Sequence, residues 1–330
     1  NAVIRAVVRR GQQYGYEIVG VLQGWKGLVE NKTRVVGLSE VSGVLPRGGT
    51  IVGTSRTNPL KKAEDEKRLV ENYKALGLKA LIAIGGEDTL GVADKLHNKY
   101  GLPIVGCPKT IDNDLSGTDF TFGFDTAVQI ATEAIDRLHT TAEAHDRVMV
   151  VEVMGRNSGW IAMYSGIAGG ADQILIPEKA VSLEEVCATL KSRAARGKNF
   201  SIVVVSEGFH LTQDDQKVVV VQSEERDQFG HVRLGGIGQV IAKEIERRTG
   251  FEARVTVLGH IQRGGTPTAH DRVLATRYGV FATDLVKAER WGKMAALHGD
   301  DIVAVDLSEA VKSLHLVGED LYDMAKVFFS

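Results

Sequence analysis

Four short stretches of this chain carry residues that could do chemistry. "GGEDT" (85–89) places two glycines at the end of an apolar run and two acids directly after them. "PKTIDNDLSGTD" (108–119) sets Lys109 and Thr110 before Asp112 and Asp114. "VEVMGRNSGW" (151–160) runs through Met154 into Gly155-Arg156, and "RVTVLGHIQRGGTPTAHDR" (254–272) surrounds a Gly-Gly pair with Arg254, His260, Arg263 and Arg272. Two glycines allow a backbone to approach a phosphate closely, and a helix N-terminus adds positive potential. Acids in a first helical turn also stabilise the helix dipole by ~0.3–1 kcal/mol, so "GGEDT" taken alone has a structural explanation too. A turn would use Asp and Asn for side-chain hydrogen bonds, but it does not require Lys-Thr-Ile-Asp-Asn-Asp in that order. One of those carboxylates could take a proton from a hydroxyl nucleophile while the ammonium neutralises phosphate charge. Arginine forks suit phosphate oxygens, although Arg156 would serve equally well in a surface ion pair. His260 by itself reads as a packing residue, and Arg56 and Glu207 are individually unremarkable.

Taken together, these loops offer arginines, a lysine and several acids, a mixture suited to a phosphate-bearing substrate and a divalent cation. Hard oxygen ligands without a Cys/His cluster point to Mg²⁺ rather than zinc. The chemistry so described is phosphoryl transfer onto or off a small molecule. The arginines outnumber what one diphosphate needs, so the acceptor is expected to be phosphorylated as well.

The rest of the sequence bounds this reading. A length of 330 residues allows two domains with separate cores. Hydrophobic residues make up 43% and charged residues 25%, as in ordinary soluble globular proteins. A formal net charge of −2 gives no electrostatic case for nucleic acid or an anionic membrane. No apolar run approaches the ~18 residues of a membrane span, and no signal peptide is visible. Cys107 and Cys187 suggest neither a metal site nor a disulfide framework, so a cytoplasmic location is expected. "NAVIRAVVRR" already has a helical period, as though the chain opened inside a domain, and a truncated fragment is expected.

The elements that must position these residues follow from periodicity. Strands are expected at 17–22, 80–85, 103–108, 147–154, 173–178, 201–208 and 254–259. Most are near-continuous Val/Ile/Leu, as strands covered on both faces are. Amphipathic helices are expected at 63–76, 89–99, 124–144, 159–168, 182–196, 236–248 and 269–287. This alternation predicts doubly wound α/β architecture with mainly parallel sheets, in which ligands bind where strands end and helices begin. No linker is visible, so ordered chain is expected to cross between domains near 123 and again near 262.

"PKTIDNDL", "EVMGRNSGW" and "LGHIQRGGTP", in this order and spacing, resemble the 6-phosphofructokinase family, and the likeness covers essentially the whole chain. The resemblance implies two Rossmann-like α/β domains. One would bind the donor and magnesium (1–123 with about 262–305), the other fructose 6-phosphate (124–261 with about 306–330). It implies phosphorylation of the sugar's 1-hydroxyl with Asp112 as general base, and with Asp114 and Thr110 orienting the sugar and the moving phosphoryl. Met154, Gly155, Glu207 and His260 would contact the sugar. Arg263 would hold the 6-phosphate with Arg147 and Arg254, the last two reaching over from a neighbouring subunit, so that a homodimer or homotetramer is implied. Arg156 and Arg56 would stabilise charge on the transferring phosphoryl. Gly85, Gly86 and Thr89 would line the donor seat, and Glu87 stands where the family's magnesium-binding aspartate usually does.

Asp88 bears on the donor. ATP-using members usually have glycine there, whereas diphosphate-using members resemble "GGEDT". A carboxylate would meet a nucleotide's α-phosphate, and like charges ~4 Å apart at an effective dielectric near 20 cost on the order of 4 kcal/mol before screening. Lys109 also fits the diphosphate class, where it can contact the transferred phosphoryl. The expected activity is therefore reversible, Mg²⁺-dependent phosphoryl transfer from diphosphate to fructose 6-phosphate. The alternatives are an ATP-dependent member and a non-catalytic subunit, the latter because the family's first strand and glycine-rich loop do not precede Asn1.

Overall fold

The computed structural model of the chain describes residues 1–213, 216–218 and 221–329. Residues 214, 215, 219, 220 and 330, all inside the expected sugar-phosphate unit, lie outside the described residues. In chain order the elements are α1 (Ala2–Gln13), β1 (Val19–Val21), α2 (Trp25–Val29), β2 (Thr33–Val35), α3 (Ala63–Ala75), β3 (Leu81–Gly85), α4 (Glu87–Tyr100), β4 (Ile104–Thr110), β5 (Phe122–Gly123) and α5 (Phe124–His145). There follow β6 (Val148–Val153), α6 (Trp160–Ala168), β7 (Gln173–Leu175), α7 (Leu183–Ala195), β8 (Ser201–Ser206), β9 (Leu211–Gln213), β10 (Gln216–Val218), β11 (Val221–Arg226) and β12 (Val232–Leu234). The chain closes with α8 (Ile237–Thr249), β13 (Ala253–Val257), α9 (Ala269–Lys287), β14 (Lys293–His298), β15 (Asp301–Asp306), α10 (Leu307–Ala310) and α11 (Glu319–Lys326).

Two sheets organise the molecule. One has the order β15-β14-β4-β3, parallel except for β15, and the other the order β13-β6-β8-β7, parallel throughout. Their strands read as continuous apolar runs because alternate residues serve different cores. Along β14, Met294 and Ala296 pack with α3 and α4, while Ala295 and Leu297 pack with α1 and α9. Along β6, Met149, Val151 and Val153 face α5 and α6, and Val148 and Val150 face α7 and α8. Helix starts and stops follow local rules. Ser182 and Glu185 form a capping box on α7, and Gly250 ends α8 in the left-handed region.

All seven expected helices and all seven expected strands take their places with boundary shifts of a few residues. The strand at 17–22 differs from the others in belonging to neither main sheet. Only Val19–Val21 is extended, and it pairs antiparallel with β2 in a separate two-stranded ribbon. Its three residues are only half-buried, so the apolar composition reflects packing beneath a ribbon rather than the middle of a sheet. The antiparallel β14–β15 pair and the hairpin β11–β12 were not among the expected strands.

Candidate active site

The chemistry-bearing loops follow the C-terminal ends of parallel strands. β3 and β4 are in register with Gly85 opposite Pro108, so "GGEDT" and "KTIDND" leave the sheet side by side. Helix α4 begins at Glu87, which puts both acids in its first turn. In the second sheet Val153 lies opposite Ser206, and Glu152 opposite Val257. The loops bearing Arg156, Glu207 and Arg263 therefore emerge together. The two sets of loops touch where the Ser158 hydroxyl donates to the Asp112 carbonyl at 2.9 Å.

Close backbone packing shapes the second set. Gly155 has φ +134°, and a Cβ there would lie 2.5 Å from the Ser158 carbonyl oxygen. A Cβ on Gly208 would lie 1.9 Å from the Arg156 carbonyl oxygen. Only glycine permits these two turns to interlock. Between Asp112 and Asp114, Asn113 is fully buried in the left-handed region at φ +51°. Its side-chain oxygen accepts from the Thr121 amide at 2.8 Å, and its amide donates to the Asp119 carbonyl at 3.2 Å. Asparagine tolerates this conformation best among residues with a side chain, and the bonds hold the two carboxylates on either side of it.

The electrostatics converge on Asp112. Burial pushes its carboxyl above the usual range, and Arg263, then Lys109 and Arg156, pull it back. Burial followed by repulsion from Asp112 raises Asp114 to about 7, and the same two causes raise Glu207 to about 7. Lys109 is the exposed residue of β4, yet desolvation by the surrounding chain and then Arg263 push its ammonium down. Glu87 is raised by burial and then by Asp88. This is a cluster of like-charged carboxyls bordered by cations, in which anions or a metal ion would change the protonation state of several groups at once. Among the described residues no three Asp, Glu, His or Cys side chains form a ready-made cage for a metal.

The remaining expected site residues are distributed unevenly. Met154 is buried in the core beside α5 and α6, and its amide donates to Gln262 Oε1 at 3.4 Å. His260 and Arg263 are exposed on the 3₁₀ turn Gly259–Arg263. Gly86 adjoins Thr110, with a Cβ position 3.4 Å from the threonine Cβ. Thr89 packs on Gly85. Arg147 and Arg254, by contrast, lie at the N-terminal ends of β6 and β13, where both pair with Glu252. Within one chain they are not brought to Asp112. Arg56 pairs with Asp227 at 3.2 Å, and Arg156 donates to the Val232 carbonyl at 2.8 Å.

Sequence reading missed three contributors. Gln262, 1% exposed, braces Met154 and the Gly259 carbonyl inside a motif that was otherwise noticed. His315 donates from Nδ1 to the Asn113 carbonyl (3.1 Å) and lies against Trp160 with ring centres 4.7 Å apart. His231 pairs with Asp88 at 3.2 Å from the end of the β11–β12 hairpin. The contacts of Gln262 with Met154, of His315 with Asn113 and of His231 with Asp88 could not be found by spacing, because each joins residues more than a hundred positions apart.

Comparison with known proteins places this geometry in context. Residues 1–286 match the model of the family described as phosphofructokinase. Over the whole chain and 95% of its partner's length, the sequence is 58% identical to a pyrophosphate–fructose 6-phosphate 1-phosphotransferase of Streptomyces coelicolor. It is also 49% identical, over 99% of this chain and 95% of the relative, to ATP-dependent 6-phosphofructokinase 3 of the same organism. Among solved structures, phosphofructokinase from Saccharomyces cerevisiae superposes with a TM-score of 0.81 at 32% identity, covering 99% of this chain and 44% of the yeast chain.

Proposed function

This chain belongs to the phosphofructokinase family, and we propose that within it the protein transfers a phosphoryl group from diphosphate to the 1-hydroxyl of fructose 6-phosphate, giving fructose 1,6-bisphosphate and phosphate. The observation that carries the donor assignment is Asp88, a carboxylate in the first turn of α4 beside Glu87, where a nucleotide's α-phosphate would have to lie. The 58% identical relative is named for the same reaction, which supports the reading.

In this reading Asp112 takes the proton of the sugar's 1-hydroxyl. Arg263, Lys109 and Arg156 favour its ionised form against burial, which leaves a base whose strength is adjustable by substrate. Lys109, Arg156 and Arg56 meet the charge on the transferring phosphoryl, and the last two must exchange their present partners, Val232 and Asp227, to do so. Thr110 and Asp114 orient the reacting groups, while Gly85, Gly86 and Thr89 shape the donor seat. Met154, Gly155, Glu207 and His260 contact the sugar, and Arg263 its 6-phosphate. Glu87 fits a magnesium ion, since its carboxylate is disfavoured by burial and by Asp88 and a cation would relieve both. Mg²⁺ is commonly held by one or two carboxylates and substrate phosphates rather than by an all-protein cage. When bound, it neutralises phosphate charge. Donor binding is assigned to 1–123 with about 262–305, and sugar-phosphate binding to 124–261 with about 306–330. Arg147 and Arg254 are assigned to the site of a neighbouring subunit, which their distance along the strands from Asp112 supports.

The deciding assay offers the protein Mg²⁺, fructose 6-phosphate and either diphosphate or ATP. Fructose 1,6-bisphosphate formed with diphosphate is the expected result. Turnover with ATP but none with diphosphate would overturn the donor assignment.

A further inference from the structure

A cavity of ≈ 550 Å³ lies directly beside the donor seat. Glu87, Asp88, Gly91 and Val92 of α4 form one wall, and Phe229 and Lys312 contribute to others. Its volume is within the usual range for small-molecule sites. Gly91 leaves open space around it, since a Cβ there would have no neighbour within 4 Å. Any group attached to the outer phosphate of a donor would extend past Asp88 into this space. The cavity is thus roomy enough for a nucleoside, and the Asp88 carboxylate on its lining is one obstacle to entry.

The obstacle is larger than Asp88. His231 meets it from a chain position 143 residues away, with its Nε2 3.2 Å from Asp88 Oδ1. The imidazole is carried by the turn between β11 and β12, and that turn is braced on the donor side. Asp227 Oδ1 accepts from the amides of Phe229 (2.9 Å) and His231 (3.0 Å), and the Asp227 amide donates to the His231 carbonyl at 3.0 Å. Arg56 pairs with Asp227, and the Asn58 amide donates to Gln228 Oε1 at 2.9 Å. Phe229 packs against the core beneath α3 and α4. The turn is therefore a fixed part of the donor-side wall, although its strands belong to the chain segment of the other sheet.

We infer that His231 is a positioning and specificity-determining residue. Together with Asp88 it forms a two-sided bar between the diphosphate seat and the cavity. This rests on the diphosphate reading above and extends it. A carboxylate on the first turn of a helix has several open rotamers, and a hydrogen bond from a braced imidazole holds it in one of them. Replacing Asp88 alone removes the charge but leaves the imidazole and its turn in place.

The test compares wild type, Asp88→Gly, His231→Ala, the double variant, and Asp88→Gly with His231→Gln. ATP-dependent kcat/KM and the binding of a fluorescent ATP analogue are measured for each, with the KM for fructose 6-phosphate and thermal melting as checks on the fold. The expected result is that His231→Ala, added to Asp88→Gly, raises ATP kcat/KM by about tenfold or more and tightens analogue binding in parallel. His231→Gln in the same background, which keeps most of the bulk, stays within about threefold of Asp88→Gly. On its own, His231→Ala raises the KM for diphosphate while leaving ATP excluded by Asp88. Equal analogue affinity in Asp88→Gly and the double variant, with both folded, overturns the inference. Wild-type donor use decides the underlying reading separately, because it depends on no variant.

Discussion

At the residue scale the central fact is a set of carboxyls that repel one another. Asp112→Asn removes the proposed base while retaining shape, so kcat should fall by about 10²–10⁴ with a small change in the KM for fructose 6-phosphate. Single-turnover kinetics check this. Arg263 is the strongest of the cations favouring ionised Asp112, so Arg263→Ala raises the aspartate pKa. The acidic limb of the kcat–pH profile should then move to higher pH. Glu207 provides a stability test with a definite sign. Its folded pKa of about 7 exceeds the ordinary glutamate value, so the native state holds the proton more tightly than the unfolded chain. That contribution is present at acid pH and is lost as pH rises through about 7. Glu207→Gln should therefore raise Tm at pH 8 by roughly 2 °C, have little effect at pH 5, and weaken sugar-phosphate binding. Calorimetry at the two pH values measures it. Asp88→Gly should admit ATP weakly, and undetectable nucleotide binding would refute the account of its charge and bulk.

At the element scale, the site depends on parallel strands ending in register and on loops that interlock by backbone. The Gly208 contact is the most demanding, since a methyl group there would collide with the Arg156 carbonyl. Gly208→Ala should cost about 1–3 kcal/mol of stability and displace Arg156, lowering kcat as well. Denaturant titration and steady-state kinetics report the two effects. The legibility of elements followed their physics. β6 and β8 are covered on both faces, so their Val/Ile runs were unmistakable. β14 carries "MAAL", buried on both faces against helices but without a β-branched residue, so its composition does not mark it as a strand. Its partner β15 follows a two-residue Gly299-Asp300 loop with Gly299 at φ +58°, a hairpin signal that composition alone concealed. The apolar stretch at 17–22 does form a strand, but its composition could not show that it joins a peripheral ribbon, which can be as apolar as a sheet centre.

At the scale of the whole molecule, the two sheets each supply half of one cleft. The Ser158–Asp112 hydrogen bond, the Asp88–His231 pair and the Arg56–Asp227 pair are among the contacts that join them. Arg147 and Arg254 lie at the far ends of their strands, paired with Glu252. If they serve a neighbouring subunit, co-expressing Asp112→Asn with Arg254→Ala should restore activity that neither variant has alone. A mixed pair would contain one site with both an intact base and an intact arginine. Failure of mixed oligomers to recover turnover would remove the shared-site assignment.

What this sequence determined by itself was local. It set the periods of strands and helices, the loops that carry acids and arginines, and the order of motifs that marks the family. Those properties depend on residues close together in the chain, where steric and hydrogen-bonding preferences act directly. The tertiary structure decided which distant groups meet. It set His231 against Asp88, His315 against Asn113 and Gln262 beneath Met154, and it left Arg147 and Arg254 away from the base. Such contacts arise only when two sheets pack and a hairpin crosses between them, and no spacing along the chain encodes them.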